Sequence, residues 1–177
     1  MSTTTVLVTY ATKYGSTQEV AETVAAVFRE NGLQAEVKPT CEVRTLDGFH
    51  AVVLGAALYM GRWHKDARGF LKRHRTELSS LPVAIFALGP LTDAEKEQQG
   101  SRTQLDHELA KVPWLAPVRI EVFGGVINPA KLHFPFNHMS AGDARDWAVI
   151  RAWAGKLVAL FQSDPAGLVA DNLASLG

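Results

Sequence analysis

Between residues 51 and 54 the chain runs Ala51, Val52, Val53, Leu54, four apolar positions without a polar alternate. A strand with one face in water alternates apolar and polar side chains, so an unbroken run marks a strand covered on both faces. Such strands belong to parallel sheets packed between helices. The rest of the sequence supplies the companions. Thr5 to Thr9 is a short β-branched run, Leu33 to Val37 a second strand, Val83 to Leu88 a fourth after Pro82, and Val118 to Phe123 a fifth. Between them, Val20, Val24, Val27 and Phe28 recur at helical spacing up to the stop at Asn31 and Gly32. Ala67, Phe70, Leu71, His74 and Leu78 do the same, and after Gly142 and Asp143 so do Trp147, Ile150, Ala154, Leu157 and Phe161. The segment Thr92 to Lys111 is polar, with Leu105 and Leu109 as its main apolar contacts. This alternation predicts an α/β three-layer sandwich, a doubly wound five-stranded parallel sheet in order 2-1-3-4-5, with ligands bound beyond the carboxyl ends of the strands.

A chain of 177 residues fits one domain. The pattern places its core over about residues 5–161, a weakly structured tail over 162–177, and one irregular insertion from Asn128 to Ala141. Eighteen Lys and Arg balance eighteen Asp and Glu, which argues against nucleic acid and against an acidic carrier steered by charge. Cys41 is alone, so neither an intramolecular disulfide nor a cysteine zinc site can form within one chain, and a reducing cytoplasm is the expected setting. No stretch approaches the roughly 18 apolar residues of a spanning helix, so any membrane contact is expected to be peripheral. Homo-oligomers are compatible with this composition.

The loop Tyr10 to Thr17 leads into the first helix, where Ser16 and Glu19 form a capping-box pattern. Backbone N–H groups from Lys13, Tyr14, Gly15, Ser16 and Thr17, with the hydroxyls of Thr12, Ser16 and Thr17, suit a phosphate at a helix start, and Gly15 permits a close turn. The plainer alternative is a helix cap with no ligand. Position at the switch point of the sheet favours the phosphate.

The loop Gly55 to His64 is small at its base, with Ala57 and Leu58, and aromatic at its tip, with Tyr59, Met60, Gly61, Arg62 and Trp63. Tyr59 or Trp63 suits stacking on a flat ring, Gly61 can present its backbone, and Arg62 or His64 can stabilise an anionic form of the ring. For His64 a plain helix-start role weighs equally. Leu88, Gly89 and Pro90, after the fourth strand, form a turn that can close the other side. In the insertion, Leu132, Phe134, Phe136 and Met139 with Lys131, His133 and His138 suggest either a lid or a loop pinned to the core, the latter being favoured, and no metal site.

The pattern Thr12 to Thr17, TxxGST, and the segment from Val52 to His74, VVLGAALYMGRWHKDARGFLKRH, resemble the flavodoxin-domain family that includes menaquinone-dependent protoporphyrinogen oxidase. The resemblance covers most of residues 5–161. It implies a flavodoxin-like fold and FMN held without a covalent link, its phosphate in the first loop and its ring between the second and third. Flavodoxins commonly carry an aromatic residue where this chain has Met60. The resulting expectation is an FMN-dependent oxidoreductase that passes electrons to a quinone-like or other small organic acceptor. The alternatives are a one-electron shuttle to protein redox partners and a flavin-free partner-binding module. Dinucleotide, P-loop, zincin and hydrolase motifs are absent, and the first strand ends without the carboxylates of a phosphorelay receiver.

Overall fold

The protein is described here by a computed structural model, which defines residues 3–59, 61–89, 95–127, 129–131, 141–163 and 167–169. Strand β1 (Thr5–Ala11) leads to α1 (Ser16–Glu30) and β2 (Gln34–Pro39). Strand β3 (Ala51–Tyr59) returns briefly as β4 (Arg62–Trp63) before α2 (Lys65–Arg73), α3 (Arg75–Leu78) and β5 (Val83–Leu88). Helix α4 (Glu95–Leu109), β6 (Arg119–Phe123), the short strands β7 (Val126–Ile127) and β8 (Gly142–Asp143), and α5 (Trp147–Ser163) complete the order.

The main sheet runs β2-β1-β3-β5-β6, all parallel, with β4 paired antiparallel to β3. Without that short return the order is the expected 2-1-3-4-5 of a doubly wound flavodoxin-like sheet. Period-two alternation divides each central strand between two cores. Val6, Val8 and Tyr10 of β1 face α1 and α5, meeting Val24, Phe28, Leu157 and Phe161, whereas Leu7 and Ala11 face Phe70, Leu71 and Leu105 of α2 and α4. Helices on both sheet faces make the three layers.

Several boundaries differ from the sequence reading. β3 does not stop at Leu54 but continues through the small residues Gly55, Ala56 and Ala57, because these pair with Phe86, Ala87 and Leu88 of β5. A Cβ on Gly55 would lie 1.9 Å from the Phe86 ring, so Gly55 is a packing residue of the sheet centre. The stripe from Ala67 to Leu78 is two helices, broken at His74, whose buried imidazole lies 3.3 Å from the Val43 carbonyl and packs on Phe70. Trp147 does not join the buried stripe of α5; it is 37% exposed, and Trp153 fills the core instead, edge-on to Phe86 and Phe123. The 128–141 insertion is bracketed by the β7–β8 pair, with its residues 128 and 132–140, including His133, Phe134, Phe136, His138 and Met139, outside the described set. No helix among the described residues is long and apolar enough to cross a membrane.

Gly55→Ala should lower stability by roughly 1–3 kcal/mol through overpacking, read as a lower denaturant midpoint at unchanged m-value. Combining it with Phe86→Leu should cost less than the sum of the two single changes. Strict additivity in that cycle would contradict the close contact.

Candidate functional site

Parallel pairing carries the ends of β1, β3 and β5 to one edge, with Ala11 beside Ala56 and Ala57 beside Leu88. The loops that follow these strands therefore share one mouth. In the first, Gly15 adopts φ 93°, a left-handed conformation suited to glycine, and directly precedes α1. The expected capping box does not form. Ser16 is already the first helical residue, Gly15 occupies the cap position with no side chain to accept, and Glu19 is drawn away to Arg145. Among the described residues no side chain caps the amides of the first turn of α1. A helix start in this condition presents N–H donors and a positive dipole end.

Two hydroxyls flank it. Thr12 Oγ1 accepts from the Gly15 N–H at 2.9 Å, which uses a lone pair and leaves the hydroxyl proton for another acceptor. Thr17 is fully buried and its Oγ1 has no hydrogen-bond partner among the described residues. A buried hydroxyl in that state costs about 1–3 kcal/mol unless a ligand or water satisfies it. The residues thus fit a phosphate: uncapped amides, one hydroxyl already oriented, and one buried hydroxyl without a partner.

Lys13 links the first loop to the second, its ammonium lying 5.2 Å from the ring centre of Tyr14 and 5.7 Å from that of Tyr59. Tyr59, 45% exposed at the end of β3, is the aromatic residue the second loop offers at the mouth. Trp63 is not available for stacking: it is 1% exposed, packs among Leu105 and Phe70, and donates its indole N–H to the Ala56 carbonyl at 3.0 Å. The β3–β4 return explains this, since the pairing of Leu58 with Trp63 folds the indole back onto the core. Gly61 (φ 77°) makes the turn, with no atom near the position of an added Cβ, and Arg62 beside it is exposed.

In the third loop Leu88 is 2% exposed and belongs to the core rather than the mouth. Gly89 donates to the Phe123 carbonyl at 3.0 Å, and an added Cβ would press on Ser101 of α4 at 2.8 Å. Met60 and Pro90 lie outside the described residues.

His64 starts α2, accepting from the Asp66 N–H at Nδ1, 3.1 Å away. That bond leaves the proton of a neutral imidazole on Nε2. Burial lowers its pKa from the usual 6.5, the nearby Asp66 carboxylate opposes the shift, and Lys65, Lys13 and Arg68 reinforce it. His64 is therefore a neutral helix-start residue beside the first loop.

Two residues that hold the first loop were not recognised in that role from sequence. Lys131 donates to the Tyr14 carbonyl at 3.1 Å, and Arg145 donates to the Ser16 carbonyl at 3.2 Å and to Glu19 at 2.7 Å. Arg145 carried a signal: a cation just before the positive end of α5 is unfavourable unless held elsewhere. The open groove of about 280 Å³ at the β2 edge, lined by Glu36, Lys38, Glu42, Arg44 and Asp47, mixes charges of both signs and contains none of the buried unpartnered polar atoms found among the described residues.

Residues 7–139 match the model of the flavodoxin domain. The chain is 27% identical over 124 residues to protoporphyrinogen IX dehydrogenase (quinone) of Escherichia coli K12, covering 68% of each chain. In structure it is similar to oxidised flavodoxin 1 from Bacillus cereus, at TM-score 0.58 and 17% identity over 88% of this chain and 98% of that one. It is also similar to rubredoxin oxygen:oxidoreductase from Desulfovibrio gigas, at TM-score 0.59 and 12% identity over 90% of this chain but 36% of that one.

Followed by NMR, the imidazole of His64 should titrate below 6.5 with its neutral proton on Nε2. Because the folded pKa is lowered, the unfolded state binds more protons just below 6.5, so this histidine makes stability fall as the pH drops through that window. The corresponding slope should vanish in His64→Gln. A midpoint at or above 6.5 would contradict the placement.

Proposed function

Since this chain belongs to the flavodoxin-domain family, we propose that it binds FMN at the shared mouth of β1, β3 and β5 and acts as an oxidoreductase delivering electrons to a quinone-like or other small organic acceptor. The observation that carries the reading is the buried, unpartnered Thr17 hydroxyl beside the uncapped first turn of α1. Such an arrangement is costly for a bare fold and well matched to an anion. The similarity to a quinone-using dehydrogenase supports the choice of acceptor.

The division of labour follows from the geometry. The amides of Ser16 and Thr17 and the hydroxyls of Thr12, Ser16 and Thr17 would hold the phosphate, and Lys13 would add positive charge at the rim. Tyr59 would lie against the ring, with Gly61 and Arg62 along one edge and Gly89 along the other. Bound there, the flavin would supply the redox chemistry itself. His64, neutral and holding its proton on Nε2, would donate a hydrogen bond at the mouth without adding charge. Leu88 and Trp63 would keep water from the base of the site through the core they fill.

Titration of the apoprotein with FMN and with riboflavin tests the cofactor. FMN should bind much more tightly, and Thr12→Val with Thr17→Val should weaken it on the order of 100-fold while leaving riboflavin little changed, given what hydrogen bonds to a charged group contribute. Absence of FMN binding would overturn the reading. Mixing the reduced holoprotein anaerobically with a soluble quinone tests the acceptor. Reoxidation should saturate with quinone concentration and outpace that of free reduced FMN; a rate no faster than the free cofactor removes the quinone assignment.

A further inference from the structure

The phosphate loop is gripped from a segment more than a hundred residues further along the chain. After β6 the chain enters the β7–β8 ribbon, where Val126 pairs with Asp143 and Ile127 with Gly142. The ribbon is fastened to the sheet edge: Ala144 N–H donates to the Gly125 carbonyl at 2.9 Å, and a Cβ on Gly124 would fall 1.9 Å from the Ala144 carbonyl oxygen. From this base Lys131 reaches the Tyr14 carbonyl and Arg145 reaches the Ser16 carbonyl.

A trans peptide is planar, with its C=O and N–H pointing in opposite directions. The Ser16 carbonyl and the Thr17 N–H belong to one such unit, as do the Tyr14 carbonyl and the Gly15 N–H. Drawing the two carbonyls toward Arg145 and Lys131 turns the two N–H groups to the opposite side. Of these, the Gly15 N–H is held by Thr12, and the Thr17 N–H belongs to the residue whose hydroxyl is buried without a partner.

The guanidinium is well fixed for this purpose. It donates to Asp143 through Nε at 3.0 Å and through a terminal nitrogen at 2.8 Å, meets Glu19 at 2.7 Å, and lies 4.8 Å from the ring centre of Trp147, with 8% of its side chain exposed. Two carboxylates offset its single positive charge. Net attraction for a phosphate is therefore not what Arg145 adds; it adds a second hold on a peptide that sits in the fraying first turn of α1.

We propose that Arg145, with Lys131 in support, is a positioning residue that sets the Ser16–Thr17 peptide before the ligand arrives and so confers selectivity for a phosphorylated over an unphosphorylated flavin. This rests on the flavin reading above, extended to a residue outside the loop. Lys131, exposed and bonded to a carbonyl rather than a carboxylate, adds charge in a way that salt screens.

The test compares wild type, Arg145→Gln and Arg145→Lys for affinity toward FMN and riboflavin, and follows the Ser16, Thr17 and Gln18 amides of each apoprotein by NMR during titration with inorganic phosphate. Arg145→Gln should lose about 10-fold in FMN affinity with riboflavin within about twofold. Arg145→Lys should lose nearly as much, because an ammonium cannot bridge Asp143, Glu19 and the Ser16 carbonyl together. Unchanged FMN affinity in Arg145→Lys, or an equal loss for both flavins, would overturn the proposal. If wild type binds neither flavin, the cofactor reading fails by itself. The phosphate titration then decides the role of Arg145: Thr17 amide shifts present in wild type and lost in both variants support it, and their absence in wild type or persistence in the variants refutes it.

Discussion

Parallel pairing of β1 with β3, with Val6 opposite Ala51 and Ala11 opposite Ala56, is the constraint from which the candidate site descends. It aligns the carboxyl ends of two central strands, so the loop that starts α1 and the loop that follows β3 must emerge side by side. The sheet order then sends the chain from β1 outward to β2 and from β3 the other way to β5, opening the mouth between them. Val52, Val53 and Leu54 hold that register because each is fully buried, and a one-residue slip would exchange the two cores. A polar site is tolerated at this edge because the apolar strands beneath it leave little freedom.

The strands, the layer count and the sheet order were legible because they rest on local periodicity, which sequence displays directly. The proposal of an anion at the first loop draws on an equally local signal, glycine and hydroxyl residues at a strand-to-helix junction. What was misjudged depends on backbone turns and tertiary contacts that periodicity does not display. Trp63 looked like a stacking residue because it neighbours Tyr59, yet the β3–β4 return sends the two rings apart, one to the mouth and one to the core. Ser16 and Glu19 matched a capping box, but a left-handed Gly15 shifted the helix start by one residue and Arg145 captured the glutamate. Leu88 lies at the end of β5 and is still enclosed, because Phe123 of β6 pairs beside it.

Net charge also misleads when taken as a whole-chain quantity. Balanced totals argue against a large field around the molecule, but they say nothing of a few ångströms at a helix start. Lys13, Lys131 and Arg145 converge on the first loop from three places in the chain, while Glu19 and Asp143 offset the arginine. A small local excess of positive charge is enough for a dianion held by backbone amides. Large surface fields are unnecessary once short-range donors are aligned.

The same arrangement would couple binding of the proposed ligand to stability. Thr17 keeps a hydroxyl in the interior without a partner among the described residues, and the first turn of α1 keeps its amides uncapped by them. Both features oppose folding of the empty protein, and the proposed anion at the loop would relieve both. A ligand that binds only the folded chain adds stability in proportion to the logarithm of its concentration over its dissociation constant, about 2.7 kcal/mol at a hundredfold excess. Ser16, Thr17 and Glu19 all sit on α1, whose Val20, Val24 and Phe28 fill one of the two cores, and Phe28 meets Phe161 of α5 edge-on, so order imposed at the loop would bear on the packing of α1 against α5. The helix that would meet the ligand is thus also the helix on which half of the interior is built.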